Sequence, residues 1–475
     1  MKLAGKNALV VGLGETGLSM ARFLARRGAR VRVVDSRDDP PGLAGLAKAV
    51  PQAELELGAF RDPFFAAADL VAISPGVPLA TPQVRAAAAR GAVVLGDIEL
   101  FAQALRADGH GDQLASNHGG PRVLAITGTN GKTTVTALTG AMCKRAGFAT
   151  EVAGNIGPAA LDALMQCEDT QRKPEVWVLE LSSFQLETTR TLNPVAATVL
   201  NLSEDHLDRY QDMADYTRAK SRIFRGEGIQ VLNRDDAGSM NMAAAGRKQI
   251  SFGLDAPHRA EDFGLQRVAG DLWLAQGATP LVAVKALPLA GLHNAANALA
   301  ALALARALGA SYAPLLAALR EFKGLPHRLE KAAEIDGVAY YDDSKGTNVG
   351  STVAALDGFA EVTARGARVV LIAGGEGKGQ DFAPLSGPVS RHARCVVLIG
   401  RDADLIARAL ADTGVALLRA GSMEEAVAQS RAQAHPGDVV LLSPACASFD
   451  MFRNYPHRGE VFTACVRKLS HAQLH

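Results

Sequence analysis

The run Val123-Leu124-Ala125-Ile126-Thr127-Gly128-Thr129-Asn130-Gly131-Lys132-Thr133-Thr134 passes from apolar residues through a glycine-rich turn into a helix-forming stretch. A short apolar run bounded by turn residues reads as a buried strand, and a helix is expected from residue 133. Glycines at such a junction let backbone N–H groups close around an anion, and the helix N-terminus adds its positive end. In that arrangement Lys132 reaches the β- and γ-phosphates of a nucleotide and the Thr133 hydroxyl holds Mg²⁺. The usual spacing of a phosphate loop would put an outer glycine at position 126, which is Ile here. A glycine-rich turn with an incidental lysine is the competing reading, and the strand–helix junction argues against it.

Outward from this loop, short β-branched runs alternate with Ala/Leu-rich amphipathic stretches to both ends of the chain. That is the pattern of parallel sheets covered by helices, an α/β fold. Toward the N-terminus, strands are expected at residues 8–11, 31–34, 70–73 and 93–95, with a helix over 15–28, and the block closes near Asp97. Residues 106–122, rich in Gly, Asp, Asn and His, read as a solvated loop. Toward the C-terminus, strands are expected at 176–179, 197–200 and 229–232, with helices over 214–224 and 294–308, the latter closed by Gly309. A third block begins near Leu325, with strands at 369–372, 395–399 and 439–442. A chain of 475 residues suits three domains, at roughly 100–200 residues each. We divide it at 1–97, 98–324 and 325–475, with Gly324-Leu325-Pro326 as a hinge.

Fifty basic residues against 49 acidic ones leave a formal charge of +1. No global field therefore draws the chain to nucleic acid or an anionic membrane. The five cysteines (Cys143, Cys167, Cys395, Cys446 and Cys465) show no C-x-x-C spacing. Their odd number points to free thiols in a reducing cytoplasm, not to a zinc knuckle or a disulfide frame. No window reaches the ~18 consecutive apolar residues of a membrane helix, and the opening Met-Lys-Leu-Ala-Gly-Lys is no secretion signal. A cytoplasmic monomer acting on small molecules, without membrane insertion, is expected.

A second glycine turn, Gly12-Leu13-Gly14-Glu15-Thr16-Gly17, is followed by Asp35 at the end of the next strand. Read alone, this is a dinucleotide fingerprint with Asp35 on a ribose hydroxyl. Nothing else in the chain identifies a nicotinamide site or a hydride-transfer acid. Gly17 would also be explained by close packing in a βα turn.

The string Ile126-Thr127-Gly128-Thr129-Asn130-Gly131-Lys132-Thr133-Thr134 resembles the nucleotide loop of the Mur ligases and their folylpolyglutamate synthase relatives. Four further segments resemble the D-glutamate-adding branch of the Mur ligases. They are Leu179-Glu180-Leu181-Ser182-Ser183-Phe184-Gln185-Leu186, Asn201-Leu202-Ser203-Glu204-Asp205-His206-Leu207-Asp208-Arg209-Tyr210, Asp342-Asp343-Ser344-Lys345-Gly346-Thr347-Asn348, and Ser443-Pro444-Ala445-Cys446-Ala447-Ser448-Phe449-Asp450. The resemblance spans all three blocks in order. It implies a Rossmann-like N-terminal domain, a central ATPase-like domain with a phosphate loop, and a Rossmann-like C-terminal domain. It also implies an ATP-dependent ligase that joins D-glutamate to UDP-N-acetylmuramoyl-L-alanine through an acyl phosphate, in peptidoglycan precursor synthesis.

On that resemblance, Thr16, Asp35, Ser36, Arg37 and the Ser74-Pro75-Gly76 turn line the UDP end of the sugar substrate, and Asn155 lies near its reacting group. Gly128, Thr129, Asn130, Gly131, Lys132, Thr133 and Thr134 hold the phosphates of ATP. Asn294, Asn297 and Arg328 meet adenine and ribose, although both asparagines could equally cap a helix. Asp343 and Lys345 approach the nucleotide from the third domain. Thr133, Glu180, His206 and Lys220 are the implied Mg²⁺ contacts, with Lys220 carrying a CO₂-derived carbamate, and Lys132, Glu180, His206 and Lys220 are the implied catalytic set. Thr347, Lys378, Ser448, Phe449 and Tyr455 are implied for D-glutamate, Tyr455 replacing the Phe often found there. A sibling ligase with another acceptor, an NAD-dependent oxidoreductase and a non-catalytic nucleotide-binding regulator are the rival readings. The retained Lys132, Glu180, His206 and Lys220 argue against the last.

Overall fold

The computed structural model describes residues 1–106, 120–206, 209–289, 291–360 and 366–471. Most of the loop expected over 106–122 lies outside the described residues, as do Leu207 and Asp208 of the histidine-bearing segment. The fold is α/β, built on three sheets.

In the first sheet five parallel strands stand in the order Glu54–Leu57, Arg30–Asp35, Asn7–Val11, Leu70–Ile73, Val93–Leu95. Winding reverses between Asn7–Val11 and Leu70–Ile73, and open α/β sheets take ligands at such a switch point. The two glycine- and serine-bearing turns meet there. Ser74 N donates to the Val11 carbonyl at 2.9 Å, and Ser74 Oγ donates to the Gly12 carbonyl at 3.2 Å. Helix Glu15–Arg26 leaves the turn and stops two residues short of the expected end, with Gly28 left-handed beyond it at φ 80°. A Cβ on Gly17 would collide with the Gly12 carbonyl oxygen. The helix therefore seats against the strand end only because residue 17 has no side chain.

The second sheet has nine strands, in the order Thr279–Ala283, Asp271–Gln276, Phe263–Val268, Gln249–Phe252, Ile229–Asn233, Ala196–Val199, Arg122–Thr127, Val176–Glu180, Thr150–Gly154. The first three form an antiparallel arm and the rest are parallel. The phosphate-loop strand Arg122–Thr127 lies between Val176–Glu180 and Ala196–Val199, so the ends of all three open on one edge. Helices Lys132–Arg145 and Leu292–Ala307 pack together over one face. Six buried alanines of the second helix, from Ala295 to Ala305, let it approach closely. Gly309 ends it at φ 83°, as its position suggested.

Helix Asp97–Leu105 joins the first sheet to the second. It packs on helices Ala160–Asp169 and Ser183–Thr188, and Phe101 meets Trp177 edge-on at 4.9 Å between centroids. One apolar cluster runs without a break from Val10 and Val33 through Phe101 to Leu179.

The third sheet runs Glu330–Ile335, Val338–Asp342, Val439–Leu442, Val369–Gly374, Ala393–Ile399, Ala416–Arg419. It is parallel apart from its first hairpin. It faces the second sheet across a cleft, where the Asn130 and Asn348 amides exchange hydrogen bonds at 3.3 and 3.0 Å.

Several expected boundaries move. The strand expected at 197–200 is Ala196–Val199, because Leu200 already leaves the sheet toward the phosphate loop. The helix expected over 214–224 is Met213–Ser221 followed by a 3-10 turn at Arg222–Phe224, and the Asp212 side chain caps its start. Among the described residues no helix is long and apolar enough to cross a membrane.

Gly17→Ala forces the first helix off its strand. It should lower stability by about 1–3 kcal/mol, read as a fall in denaturation midpoint, with the first sheet unfolding early in hydrogen exchange. An unchanged midpoint would show that the turn has room for a side chain.

Candidate active site

The phosphate loop is shaped by its neighbours. Gly128 stands at φ 147°, where a Cβ would press on Leu200, and Gly131 at φ 81°, where one would strike Asn297. The loop is tied to the strand-end segment beside it: Asn201 Oδ1 accepts from Asn130 N at 2.8 Å, and Asn201 Nδ2 donates to the Asn130 carbonyl at 3.2 Å. Lys132 is the first residue of the helix, one earlier than expected. Its Nζ folds back and donates to the carbonyls of Gly128 (2.9 Å) and Thr129 (2.7 Å).

Lys220 is 1 % exposed. Its Nζ donates to the same Gly128 carbonyl at 2.8 Å, lies 3.4 Å from Thr127 Oγ1, and sits 4.7 Å from the Tyr216 ring centroid. Burial, followed by the positive charge of Lys132, holds its pKa well below the usual lysine range, with Asp205 and Glu180 pulling the other way. Lys132 is lowered too, mainly by burial.

Glu180 ends its strand, 1 % exposed. Its Oε1 accepts from Asn155 Nδ2 at 2.8 Å, while Oε2 has no hydrogen-bond partner. That orphaned oxygen, the Thr133 hydroxyl and the nearby Lys220 amine sit among the electropositive Lys132, Lys345 and Arg328. A carboxylate and hydroxyl set of this kind suits a hard, oxygen-seeking cation such as Mg²⁺. Thr133 Oγ1 accepts from Arg328 at 2.7 Å. His206 lies at φ 56°, its ring 4.8 Å from that of Phe184 and its Nε2 3.6 Å from Asp205.

Two chambers flank this point, one lined by loop residues Asn130, Gly131 and Thr134 and the other by Asn155, the partner of Glu180. The first, of about 330 Å³, is lined by Asn130, Gly131, Thr134, Asn294, Asn297, Arg328, Asp343 and Lys345, which were expected. It is also lined by His293 and Asn201, which were not. Burial pushes Asp343 up to about 7 and Lys345 down to about 8. His293 is driven down to about 4 by burial, so it stands in the wall as neutral imidazole.

The second chamber, of about 630 Å³, is lined by Thr16, Asp35, Ser36, Arg37, Ser74, Pro75, Gly76 and Asn155, all expected. Asp97 and Gln185 complete it and were missed. Gln185 had a local signal, the Ser182-x-x-Gln185 capping box that the structure forms. Asp97 had none. Asp35 accepts from Leu13 N and from three N–H groups of Arg37, which fills the four positions of a carboxylate. Burial alone would raise its pKa, yet Arg37 and the two backbone donors hold it down at about 2. A ribose diol would have to displace one of these bonds, which weighs against a dinucleotide.

The residues expected for the acceptor are more scattered. Lys378, at φ 52°, brings its Nζ within 3.9 Å of Asp205. Ser448 is buried while Phe449 is 70 % exposed. Thr347 follows Lys345 in a tight turn. Tyr455 lies under Lys345, whose Nζ is 3.9 Å from its ring centroid. None of the five lines either chamber.

Comparison with known proteins adds three family matches in chain order. These are the Mur ligase MurD-like N-terminal domain over residues 6–96, the Mur ligase middle domain over 126–305, and the Mur ligase glutamate ligase domain over 327–446. The UDP-N-acetylmuramoylalanine–D-glutamate ligase of Nitrosospira multiformis is 56% identical over 475 residues, covering 100% of this chain and 98% of that protein. The ligase of the same name from Nitrosomonas europaea is 56% identical over 471 residues, covering 98% and 97%. Among solved structures, the UDP-N-acetylmuramate–alanine ligase MurC of Thermotoga maritima superposes with a TM-score of 0.61 at 20% identity, covering 98% of this chain and 99% of that one. A MurF from Acinetobacter baumannii gives 0.58 at 19%, covering 97% and 90%. At such identities the two structures speak for the fold alone.

The buried Lys220 amine has a stability signature. Its pKa is lowered in the folded state, so between that value and the unfolded value of about 10.4 the unfolded chain binds the extra proton. Folding stability then rises with pH through this interval. Lys220→Met, in carbonate-free buffer, should melt above wild type at pH 7, and the gap should close toward about pH 10. A variant that melts lower at pH 7 would show that the amine is held by net favourable contacts.

Proposed function

The chain belongs to the Mur ligase family, and from that premise we propose that it joins D-glutamate to UDP-N-acetylmuramoyl-L-alanine at the expense of ATP, in the cytoplasm, during peptidoglycan precursor synthesis. The observation that carries this reading is the convergence of two chambers on one strand edge. On this reading one takes the nucleotide and the other the nucleotide sugar, with Glu180, bonded to Asn155 of the second, between them.

Amide formation from a carboxylate is uphill, so the acid needs activation. ATP supplies it by placing its γ-phosphoryl group on the alanyl carboxylate. The amine of D-glutamate attacks the acyl carbon, the C–O bond to phosphate breaks, and inorganic phosphate leaves with one oxygen of the former carboxylate. Adenine and ribose occupy the first chamber against Asn294, Asn297 and Arg328. Lys132 exchanges its loop carbonyls for phosphate oxygens. With Arg328 and Lys345 it balances charge that builds on the transferring group, in a site where burial strengthens such interactions. Thr133, Glu180, His206 and Lys220 would hold Mg²⁺, which when bound draws charge from the phosphate oxygens. Lys220, biased toward its neutral form by burial and by the charge of Lys132, can add CO₂ through Nζ and lose a proton to become a carbamate. That changes an amine into an oxygen donor of negative charge.

Asn155 orients Glu180 and lines the sugar chamber, so it links the reacting carboxylate to the metal-binding edge. Lys378, now beside Asp205, is the cation placed to take a carboxylate of the incoming D-glutamate, with Thr347, Ser448, Phe449 and Tyr455 forming the surrounding wall. The full-length relatives named for D-glutamate addition favour this acceptor over those of sibling ligases.

Phosphate release with UDP-N-acetylmuramoyl-L-alanine should require D-glutamate, with L-glutamate at least roughly tenfold slower. Equal rates with the two enantiomers would defeat the acceptor assignment. Lys132→Ala should lower kcat by on the order of 10³-fold while calorimetry shows the UDP-sugar still bound. Loss of sugar binding in the folded variant would place that substrate on the phosphate loop instead.

A further inference from the structure

Asp97 is the first residue of helix Asp97–Leu105 and stands in the wall of the second chamber, 1 % exposed. Its Oδ2 accepts from Gln185 Nε2 at 2.8 Å. Its Oδ1 is buried and has no hydrogen-bond partner. Gln185 cannot turn to serve that second oxygen. The Gln185 Oε1 accepts from Ser182 N at 3.0 Å and Ser182 Oγ at 3.3 Å. Gln185 N in turn donates to Ser182 Oγ at 3.2 Å, which closes the capping box. A buried carboxylate oxygen left unpaired is costly, and because Asp97 lines this chamber a bound ligand can supply the missing donor.

The position along the chamber says which part of the ligand. The diphosphate carries no N–H or O–H donor, and a carboxylate beside it would repel it. Its natural place is the Gly12–Gly17 turn near Arg37, at the start of the first helix. Asp97 stands with Gln185, Gly154 and Asn155 on the wall drawn from the second sheet and the helix that joins it. Asn155 leads directly to Glu180. Between diphosphate and reacting carboxylate lie the sugar and its lactoyl-alanyl arm, which carry hydroxyls and amide N–H groups.

Resting on the function proposed above, we propose that Asp97 is a specificity-determining residue for the muramoyl end of the substrate. Its free Oδ1 accepts a hydrogen bond from a hydroxyl or amide N–H of the sugar or its peptidyl arm, while Gln185 fixes the carboxylate plane. The uridine diphosphate is read elsewhere, so affinity for UDP does not depend on Asp97.

Asp97→Asn tests this because the amide oxygen still accepts from Gln185, while the free acceptor becomes an NH₂ donor. Calorimetry at pH 8 with UDP-N-acetylmuramoyl-L-alanine and, separately, with UDP compares it with wild type. The expected result is a loss of roughly 10–100-fold for the full substrate and unchanged affinity for UDP, with an unchanged melting temperature. Should Asp97→Asn melt early, Asp97→Ser, which keeps one acceptor for Gln185, should give the same split between the two ligands. Equal affinity of variant and wild type for the full substrate would overturn the assignment. So would a parallel loss for UDP, which would make Asp97 a support of the first sheet. If wild type itself fails to bind the full substrate, the proposed function falls and the inference with it.

Discussion

Two lysine amines, Lys132 and Lys220, donate to one backbone carbonyl, that of Gly128. Bringing two cationic groups to one oxygen inside a protein is unfavourable unless one gives up its proton or an anion joins them. Much of the central domain follows from that constraint. Gly128 needs a backbone conformation closed to other residues, because Leu200 and Asn201 press on it from the adjacent strand end. Glu180 and Asp205 lie close enough to oppose the mutual repulsion. A γ-phosphate reaching the loop would give Lys132 a better partner than its own carbonyls, and Lys220 would remain beside the carbonyl, its pKa held low by burial.

Around this point the three sheets divide the work. The first offers a switch point with two abutting turns, tight enough that Gly17 admits no side chain. The second places three parallel strand ends in a row, so that the phosphate loop, Glu180 and the Asn201 segment meet without long excursions of backbone. The third reaches across through the Asn130–Asn348 amide pair and the Lys378–Asp205 approach. Arg328, from the linker between the second and third sheets, anchors on Thr133. Helix Asp97–Leu105 is the rigid joint on the other side, sharing one apolar cluster with both neighbours. On the proposed function, substrates held by separate domains meet at a site whose geometry the central sheet sets.

The sequence disclosed what is local. A phosphate loop is a contiguous string whose glycines and lysine must fall at fixed offsets, so Gly128 to Thr134 could be read directly. Most buried parallel strands were visible as apolar runs, but Thr150–Gly154, Gln249–Phe252 and Val338–Asp342, where polar residues interrupt the run, were not. The strands Glu54–Leu57 and Ala416–Arg419 lie at sheet edges, where exposed residues blur the pattern. The antiparallel arm at 263–283 mixes polar and apolar residues and gave no clear signal. The Asp97–Gln185 bond joins residues 88 apart, and the orphaned Oδ1 exists only once two sheets are docked. Asp35 shows the opposite limit: its spacing suggested a ribose ligand, but the fold spends its four acceptor positions on Leu13 and Arg37. Tyr455, expected beside the acceptor, lies under Lys345, a contact set by the start of helix Tyr455–His471 that sequence spacing does not show.

On the proposed function, the alanyl carboxylate becomes an acyl phosphate at the edge of the second sheet. Substrate labelled with ¹⁸O in both oxygens of that carboxylate tests it most directly, with the released phosphate analysed by mass spectrometry after a single turnover with ATP and D-glutamate. One ¹⁸O atom is expected in each phosphate released, and one is retained in the new amide. Phosphate free of ¹⁸O, with the amide nonetheless formed, would contradict it.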